Sequence, residues 1–306
     1  MTKRRHKVET LSILIPAYNW DGSQLISDLH AQGEALGIEY EIIVADDHST
    51  NNDTLQAVNR TVQSLVHCRL IALERNIGRS AIRNFLADNA IYDWLLFMDC
   101  DAAVCSPEYL RNYMPATQKA EVICGGLRHP DILPQAGVEL RWKYEKKADK
   151  KRSARHRGIT PYAHFTPFNF MISRKVFQSI RFNATFKGYG YEDVLFGLEL
   201  EKRQVPILHI DNPLLHLGLE DNATFIAKTG KAISNLVSHK SEINQGSTLL
   251  RLYNNITSLH LSRLLKITAR KFTPSIKRNL LSNNPSLELF SLYKLFLLSM
   301  TADKEA

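Results

Sequence analysis

Between residues 11 and 99, short apolar runs alternate with stretches of helical character, and this alternation constrains the fold more than any other feature. "LSILIP" (11–16), "YEIIVAD" (40–46), "CRLIAL" (68–73) and "DWLLFMD" (93–99) have the length and composition of strands. Ser23 to Leu36, with Ser23 as N-cap, Asp53 to Leu65 and Arg79 to Ala90 read as the helices between them. Such a repeat implies parallel strands joined by right-handed crossovers, so the expected class is α/β, with helices on both faces of the sheet. "AEVICGGL" (120–127) and "FNFMIS" (168–173) read as further strands, and the rest of 128–190, punctuated by Pro130, Pro134, Pro161 and Pro167, as loops over the rim. From Asn222 the pattern turns helical, with Leu249, Tyr253, Ile256, His260, Leu264 and Ile267 at intervals of three and four. "LELFSLYKLFLLSM" (287–300) is apolar almost all round, which fits a buried helix better than a surface one. The expected division is an α/β domain over 8–221 and a helical region over 222–306.

The apolar run "WLLFM" ends in two carboxylates, Asp99 and Asp101, followed by Ala102 and Ala103. In open α/β sheets, ligands bind beyond the carboxyl ends of the strands. Asp46 and Asp47 end a neighbouring strand, and "PAYN" (Pro16, Ala17, Tyr18, Asn19) leaves the first strand at the same rim. Alternate carboxylates at a strand end can hold a hard divalent cation while leaving positions for water and substrate phosphates. Solvated acids capping a strand are the plainer reading, and a bare D-x-D is weak. In "FKGYGYEDVLFGLEL" (186–200), Gly188 and Gly190 permit close backbone approach, and Glu192 and Asp193 open a helix. Acids favour that first turn, yet a carboxylate fixed there is also well placed as a general base. His216, in "LLHLG", is by itself more often a hydrogen-bonded core histidine than a ligand.

Charge narrows the partners. The net +8 is concentrated: residues 141–158 hold nine Lys or Arg against two acids, and 251–306 hold nine against three. That balance suits nucleotide phosphates, a lipid pyrophosphate, an anionic membrane face or nucleic acid, with a solvated loop equally open for 141–158. No apolar run approaches the ~20 residues that cross a bilayer. "MTKRRHKVET" lacks the apolar stretch of a secretory signal, so no export is expected. Cys68, Cys100, Cys105 and Cys124 show no CxxC pairing and read as free thiols filling core space.

Together these segments resemble the inverting GT-A glycosyltransferases of family 2, over roughly residues 10 to 220. "SILIPAYN" is similar to the family's opening strand and nucleotide loop, and "VADDHST" to its acidic DDGS loop, with His48 at the usual glycine. "ERNIGRSAIRN" matches N-x-G-x-x-x-x-R-N through Asn76, Gly78, Arg83 and Asn84, and "MDCDA" matches D-x-D. "GYGYED" is similar to the G-W-G-G-E-D segment of galactosyltransferase-like members, with Tyr191 at the second glycine. The resemblance implies a GT-A, Rossmann-like, mainly parallel sheet with a C-terminal helical extension. It implies a UDP-linked donor, its uracil near Asp46 or Asp47, Asp99 toward the ribose, and Asp101 with His216 on Mn2+ or Mg2+. Asn76, Arg79 and Arg83 fall on the nucleotide-sugar side, Arg83 equally as a structural partner. Asp193 is then the base, with Glu192, Tyr189 and Tyr191 on the acceptor. The expected reaction is transfer with inversion to a saccharide or lipid-linked saccharide, in surface polysaccharide or glycoconjugate synthesis. The expected location is the cytoplasm, with at most peripheral contact of the basic segments with the membrane's inner face, and a homodimer through the C-terminal helices is the other use of that region.

Three other classes are weighed. Haloacid-dehalogenase-type phosphatases also place D-x-D after an apolar strand, but continue with Thr or Val where this chain has Ala103. A nucleic-acid-binding protein would use the basic runs with Trp142, Tyr144 and Tyr162 as stacking platforms, although acids grouped on one rim repel phosphate, so no nucleic acid is expected. A nicotinamide-binding Rossmann enzyme is disfavoured, since no GxGxxG follows Ile15.

Overall fold

The computed structural model describes residues 10–186, 189–243 and 246–302. Residues 1–9, most of the basic stretch from which the expectation of no export comes, and Gly188 lie outside the described residues. There are ten strands: β1 Thr10–Ala17, β2 Glu39–Asp46, β3 Cys68–Ala72, β4 Trp94–Met98, β5 Ala102–Val104, β6 Val122–Cys124, β7 Leu127–Arg128, β8 Asn169–Ser173, β9 Ile207–His209 and β10 Leu214–His216. Seven form one sheet in the order β3-β2-β1-β4-β8-β6-β9, and β5-β10-β7 form a second. β1 runs parallel to both β2 and β4, β2 to β3, and β6 to β9, while β8 is antiparallel to β4 and β6. The parallel strands are those that the alternation predicts, and the mixed, mainly parallel sheet flanked by helices is the one that the family resemblance implies.

The described residues divide into two compact units, one of residues up to Arg128, Lys151–Ala184 and Glu199–Gly218, the other of His129–Lys150, Thr185–Leu198 and the chain from Leu219. In the first unit, Leu11, Ile13 and Ile15 of β1 alternate into a cluster that also takes Leu25, Ile26 and Leu29 of the helix Ser23–Leu36. Elsewhere in the sheet Phe97 stacks on Phe170 and Phe177. Strands buried on both faces need near-continuous apolar runs, which these are. One polar exception is satisfied: the Ser12 hydroxyl donates to Glu41, whose carboxylate also accepts the Ile91 N–H and pairs with Arg69.

Three local expectations need correction. Ser23 is the first helical residue rather than the N-cap; Gly22 holds the cap position, and the Ser23 N–H donates to the Asp21 carboxylate. The run 120–127 is broken into β6 and β7 at Gly125 and Gly126, where a side chain on Gly125 would collide with the Tyr113 hydroxyl, the Asn169 amide and the Asn212 carbonyl. Within 128–190, read as loops, lies an eleven-residue helix, Glu139–Asp149, supported by an Arg141–Glu145 pair one turn apart and by Asn222, whose carboxamide oxygen accepts the Leu140 N–H.

Behind the Gly125 break, Asn169 is fully buried. Its Oδ1 accepts from both Tyr109 and Tyr113 hydroxyls at 2.6 Å, and its Nδ2 donates to the Gly126 and Asn212 carbonyls. Each group orphaned in a buried site costs about 1–3 kcal/mol. Asn169→Leu is therefore expected to lower stability by about 3–5 kcal/mol in urea unfolding; a loss under about 1 kcal/mol would mean the network relaxes freely.

In the second unit the helices Asn222–Ser238, Lys240–Ile243, Thr248–Ser258, Ser262–Leu280 and Leu287–Thr301 follow one another. Phe290, Tyr293 and Phe296 of the last are buried in a cluster with Phe225, Ile276 and Leu280, so its all-round apolar character goes into a core. Among the described residues no helix is long and apolar enough to cross a membrane.

Candidate active site

The sheet registers bring three loops to one rim. Ala17 pairs with Asp46, and Leu14 with Phe97, so the ends of β1, β2 and β4 fall close to one line across the sheet. Asn19 ties the first two loops together: its Oδ1 accepts the N–H groups of Thr50 and Asn51, and its own N–H donates to Ser49 Oγ. Tyr18 beside it is half exposed. Asp46 is buried, accepting the Ser49 N–H at 2.9 Å and the Ser49 hydroxyl. A shallow recess lined by Ala17, Trp20, Asp46, Ser49 and Leu70 opens there. Trp20 is a recess residue that the sequence reading did not single out; its position directly after "PAYN" was the available signal.

Asp47 is committed to the next loop. Its two oxygens accept the Ile77 N–H at 2.6 Å and the Gly78 N–H at 3.0 Å, and Asn76 Nδ2 donates to its carbonyl. Gly78, with φ of 86°, then starts the helix Arg79–Asn89. His48 stands at φ of 62°, in the left-handed region that favours a glycine, the residue usual at this place in the resembled motif. Asn84 exchanges hydrogen bonds with the backbone of Phe182 and is structural.

The two acids after β4 separate into distinct roles. Asp99 has one oxygen 3.0 Å from Arg79 and the other 2.5 Å from Arg83, a guanidinium only 1% exposed. Burial alone would raise the Asp99 pKa, but the Arg83 and Arg79 charges hold it below the usual carboxylate range. With both oxygens paired to guanidiniums, Asp99 is poorly placed as the nucleophile a dehalogenase-type phosphatase needs. Asp101 lies 3.1 Å from His216 through Oδ2, while its Oδ1 is buried without a hydrogen-bond partner.

That meeting follows from topology. β10 runs antiparallel to β5 with His216 opposite Ala102, one residue past Asp101, and the Leu217 N–H donates to the Asp101 carbonyl. Gly218 completes the approach, since a Cβ there would lie 2.1 Å from Asp101 Oδ2. Neither Gly218 nor the small second sheet was singled out from sequence, because the close contact joins residues more than a hundred positions apart. One carboxylate with an unmet buried oxygen beside one imidazole fits a divalent cation that keeps its other positions for phosphate and water. Among the described residues no group of three or more His, Cys, Asp or Glu is placed to hold a metal.

In the second unit, Glu192 is buried and takes the Gly190 N–H, and half-buried Asp193 accepts the Val194 N–H at 2.8 Å in the first turn of the helix Glu192–Lys202. Tyr191 sits at φ of 72°, again left-handed where the resembled motif has glycine, and burial raises its phenol pKa. The Tyr189 ring lies beneath Lys228, and its hydroxyl faces Arg141.

Much of the basic run 141–158 is spent internally. Arg141 pairs with Glu145, Lys146 with Asp131 and Asp149, and buried Arg157 donates to the carbonyls of Cys124, Gly125, Arg152 and Ile210. Burial lowers the Arg157 pKa, and Gly126 is required beneath its guanidinium. Trp142 donates to the Pro130 carbonyl and Tyr144 packs on Phe225 and Phe290, so neither is arranged as a stacking platform. The four cysteines are free; Cys124 is buried, its thiol pushed up to about 12 by desolvation, whereas Cys105 is exposed rather than filling core.

The chondroitin synthase of Escherichia coli is 24% identical over 229 residues, 63% of this chain and 32% of that protein. The chondroitin synthase of Pasteurella multocida (strain Pm70) is 25% identical over 226 residues, 62% of this chain and 23% of that protein. The chain thus spans a third or less of the length of these relatives. Mannosyltransferase PcManGT from Pyrobaculum calidifontis, solved with GDP-Man and Mn2+, superposes with a TM-score of 0.59 at 12% identity, covering 96% of this chain and 86% of that one, which establishes a shared fold. The family model for Glycosyl transferase family 2 matches residues 12–181, more than half of the sequence, and the chain belongs to that family.

Proposed function

We propose that the chain is a glycosyltransferase moving a sugar from a UDP-linked donor to a hydroxyl of a saccharide or lipid-linked saccharide, with inversion, in surface polysaccharide or glycoconjugate synthesis. The observation that carries this reading is the Asp101–His216 pair with its unmet buried oxygen, set in a family 2 domain. Pro16, Ala17, Tyr18, Asn19, Asp46 and Asp47 shape the nucleotide loops, and Asn76 fixes the third of them. Asp99, held by Arg79 and Arg83, presents a fixed edge toward the ribose. Asp101 and His216 would hold Mn2+ or Mg2+, which when bound neutralises the diphosphate as it leaves. Asp193 takes the proton of the acceptor hydroxyl, which attacks the anomeric carbon from the face opposite the leaving group. Glu192, Tyr189 and Tyr191 position the acceptor. A single displacement of this kind inverts the centre and needs no covalent intermediate.

A screen of nucleotide sugars for nucleoside diphosphate release, with Mn2+ and with Mg2+, tests the reading. Release from a UDP-sugar, and its loss in Asp101→Ala, are expected. Metal-dependent hydrolysis of a generic phosphomonoester, with no nucleotide released from any sugar donor, would move the assignment to the phosphatase class.

Gly218→Ala supplies a narrower check. The added methyl would meet Asp101 Oδ2, Cγ and Cβ, and rotation of the side chain cannot clear the last of these, so the carboxylate is displaced and thermal stability should fall by about 1–3 kcal/mol. The metal concentration for half-maximal activity should rise by an order of magnitude or more, as for a displaced ligand or its supporting residue. An unchanged metal titration would separate Asp101 from the cation.

A further inference from the structure

Residues 243–287 contain no Asp or Glu but seven Lys or Arg: Arg251, Arg263, Lys266, Arg270, Lys271, Lys277 and Arg278. The same segment, in the second unit, leaves large apolar side chains in water. Leu259 is 66% exposed, Leu264 58% and Ile267 57%, with Leu252, Leu261 and Phe272 also exposed. Leu259, Leu261 and Leu264 lie at or beside the corner where the helix Thr248–Ser258 turns through Leu259 and His260 into the helix Ser262–Leu280. On the second helix Ala269, Ile276 and Leu280 face the buried cluster. Leu264, Ile267, Lys271 and Arg278 recur at three-, four- and seven-residue spacing on the opposite side.

We propose that this corner and helix face dock on an anionic lipid bilayer, the leucines entering the acyl boundary and the cations meeting the headgroups. A helix presenting apolar side chains within a field of Lys and Arg is suited to the plane of a membrane surface. Isolated exposed apolar residues need no explanation, but a cluster of this kind marks an interaction surface. A second copy is disfavoured as the occupant: a two-fold contact lays the patch on itself, and its cations would face one another with no acid in the segment to pair them. Nucleic acid would answer the charge but leave the leucines without a partner. The inference does not depend on the sugar-transfer reading.

The test is cosedimentation of the full chain with vesicles of phosphatidylcholine alone or containing phosphatidylglycerol, at low and high salt. Binding to the anionic vesicles, weak binding to the neutral ones and release by salt are expected. Arg263→Gln/Arg270→Gln/Lys271→Gln should weaken partitioning by about 100-fold. Leu259→Ser/Leu261→Ser/Leu264→Ser, which leaves every charge in place, should weaken it by at least about tenfold. These side chains are exposed, and the wild-type lipid and salt arms stand without either variant. Equal partitioning onto neutral vesicles, full retention in the leucine variant, displacement by duplex DNA at lower concentration than by vesicles, or a dimer that the leucine variant dissolves would each overturn the proposal.

Discussion

Asp193→Asn is expected to reduce transfer by 10²–10⁴-fold, the range a positioned general base contributes, while leaving the KM for the donor nearly unchanged. The substitution is nearly isosteric, and its remaining oxygen can still accept the Val194 N–H that Asp193 accepts now. The start of the helix should therefore survive, and the loss should fall on kcat with a saturating acceptor. Binding of the donor, read by calorimetry with a non-hydrolysable analogue, should be retained. A general base acts only when the hydroxyl loses its proton, so it contributes nothing to ground-state donor binding. Transfer within tenfold of the parent would remove Asp193 from the proton-abstracting role. A matching loss of thermal stability would instead assign it to the helix cap.

Arg83→Met is expected to cost about 3–5 kcal/mol of stability, because it leaves the largely buried Asp99 carboxylate with one partially exposed partner, Arg79. For a protein of this size the melting temperature should fall by on the order of 10 °C. The cost should depend on pH in a defined direction. In the parent, Asp99 is held below its ordinary value, so its contribution is fully present above about pH 4 and is lost as the pH falls through the folded-state value. In the variant the Arg83 charge is gone and burial pushes the same carboxyl upward, so protonation relieves the site. The difference between parent and variant should thus be largest near neutrality, begin to shrink above about pH 4 as the pH falls through the variant's raised value, and level off only below the parent's lowered one. A difference independent of pH would point to the lost contact of the Arg83 guanidinium with the Phe182 ring.

The parts of the fold legible in the sequence were those decided locally. β1, β2 and β4 sit within a residue or so of their apolar runs because a strand buried on both faces tolerates few polar residues. The Asp99 and Asp101 motif could be placed at a strand end for the same reason. Ser23 failed as a cap prediction because Asp21 and Gly22 offered the backbone another solution two residues earlier. The helix Glu139–Asp149 was hidden because its support is distant in sequence: Asn222 caps it and Glu220 lies near Arg141. Asp99 and Asp101, identical in residue type and one residue apart, could not be told apart by spacing. What separates them is which partners the topology delivers, two arginines from the helix Arg79–Asn89 for one and His216 from β10 for the other.

Asn19 carries a mechanical consequence. One carboxamide oxygen receives the amides that begin the helix after β2, and the Asn19 amide itself is anchored on Ser49, which in turn grips Asp46. Two segments that a chain diagram draws as separate flaps are in effect a single hinged plate. Any breathing at this edge of the sheet must carry both or sever several hydrogen bonds at once, so amide protons on the two segments should exchange with solvent in concert rather than one after the other.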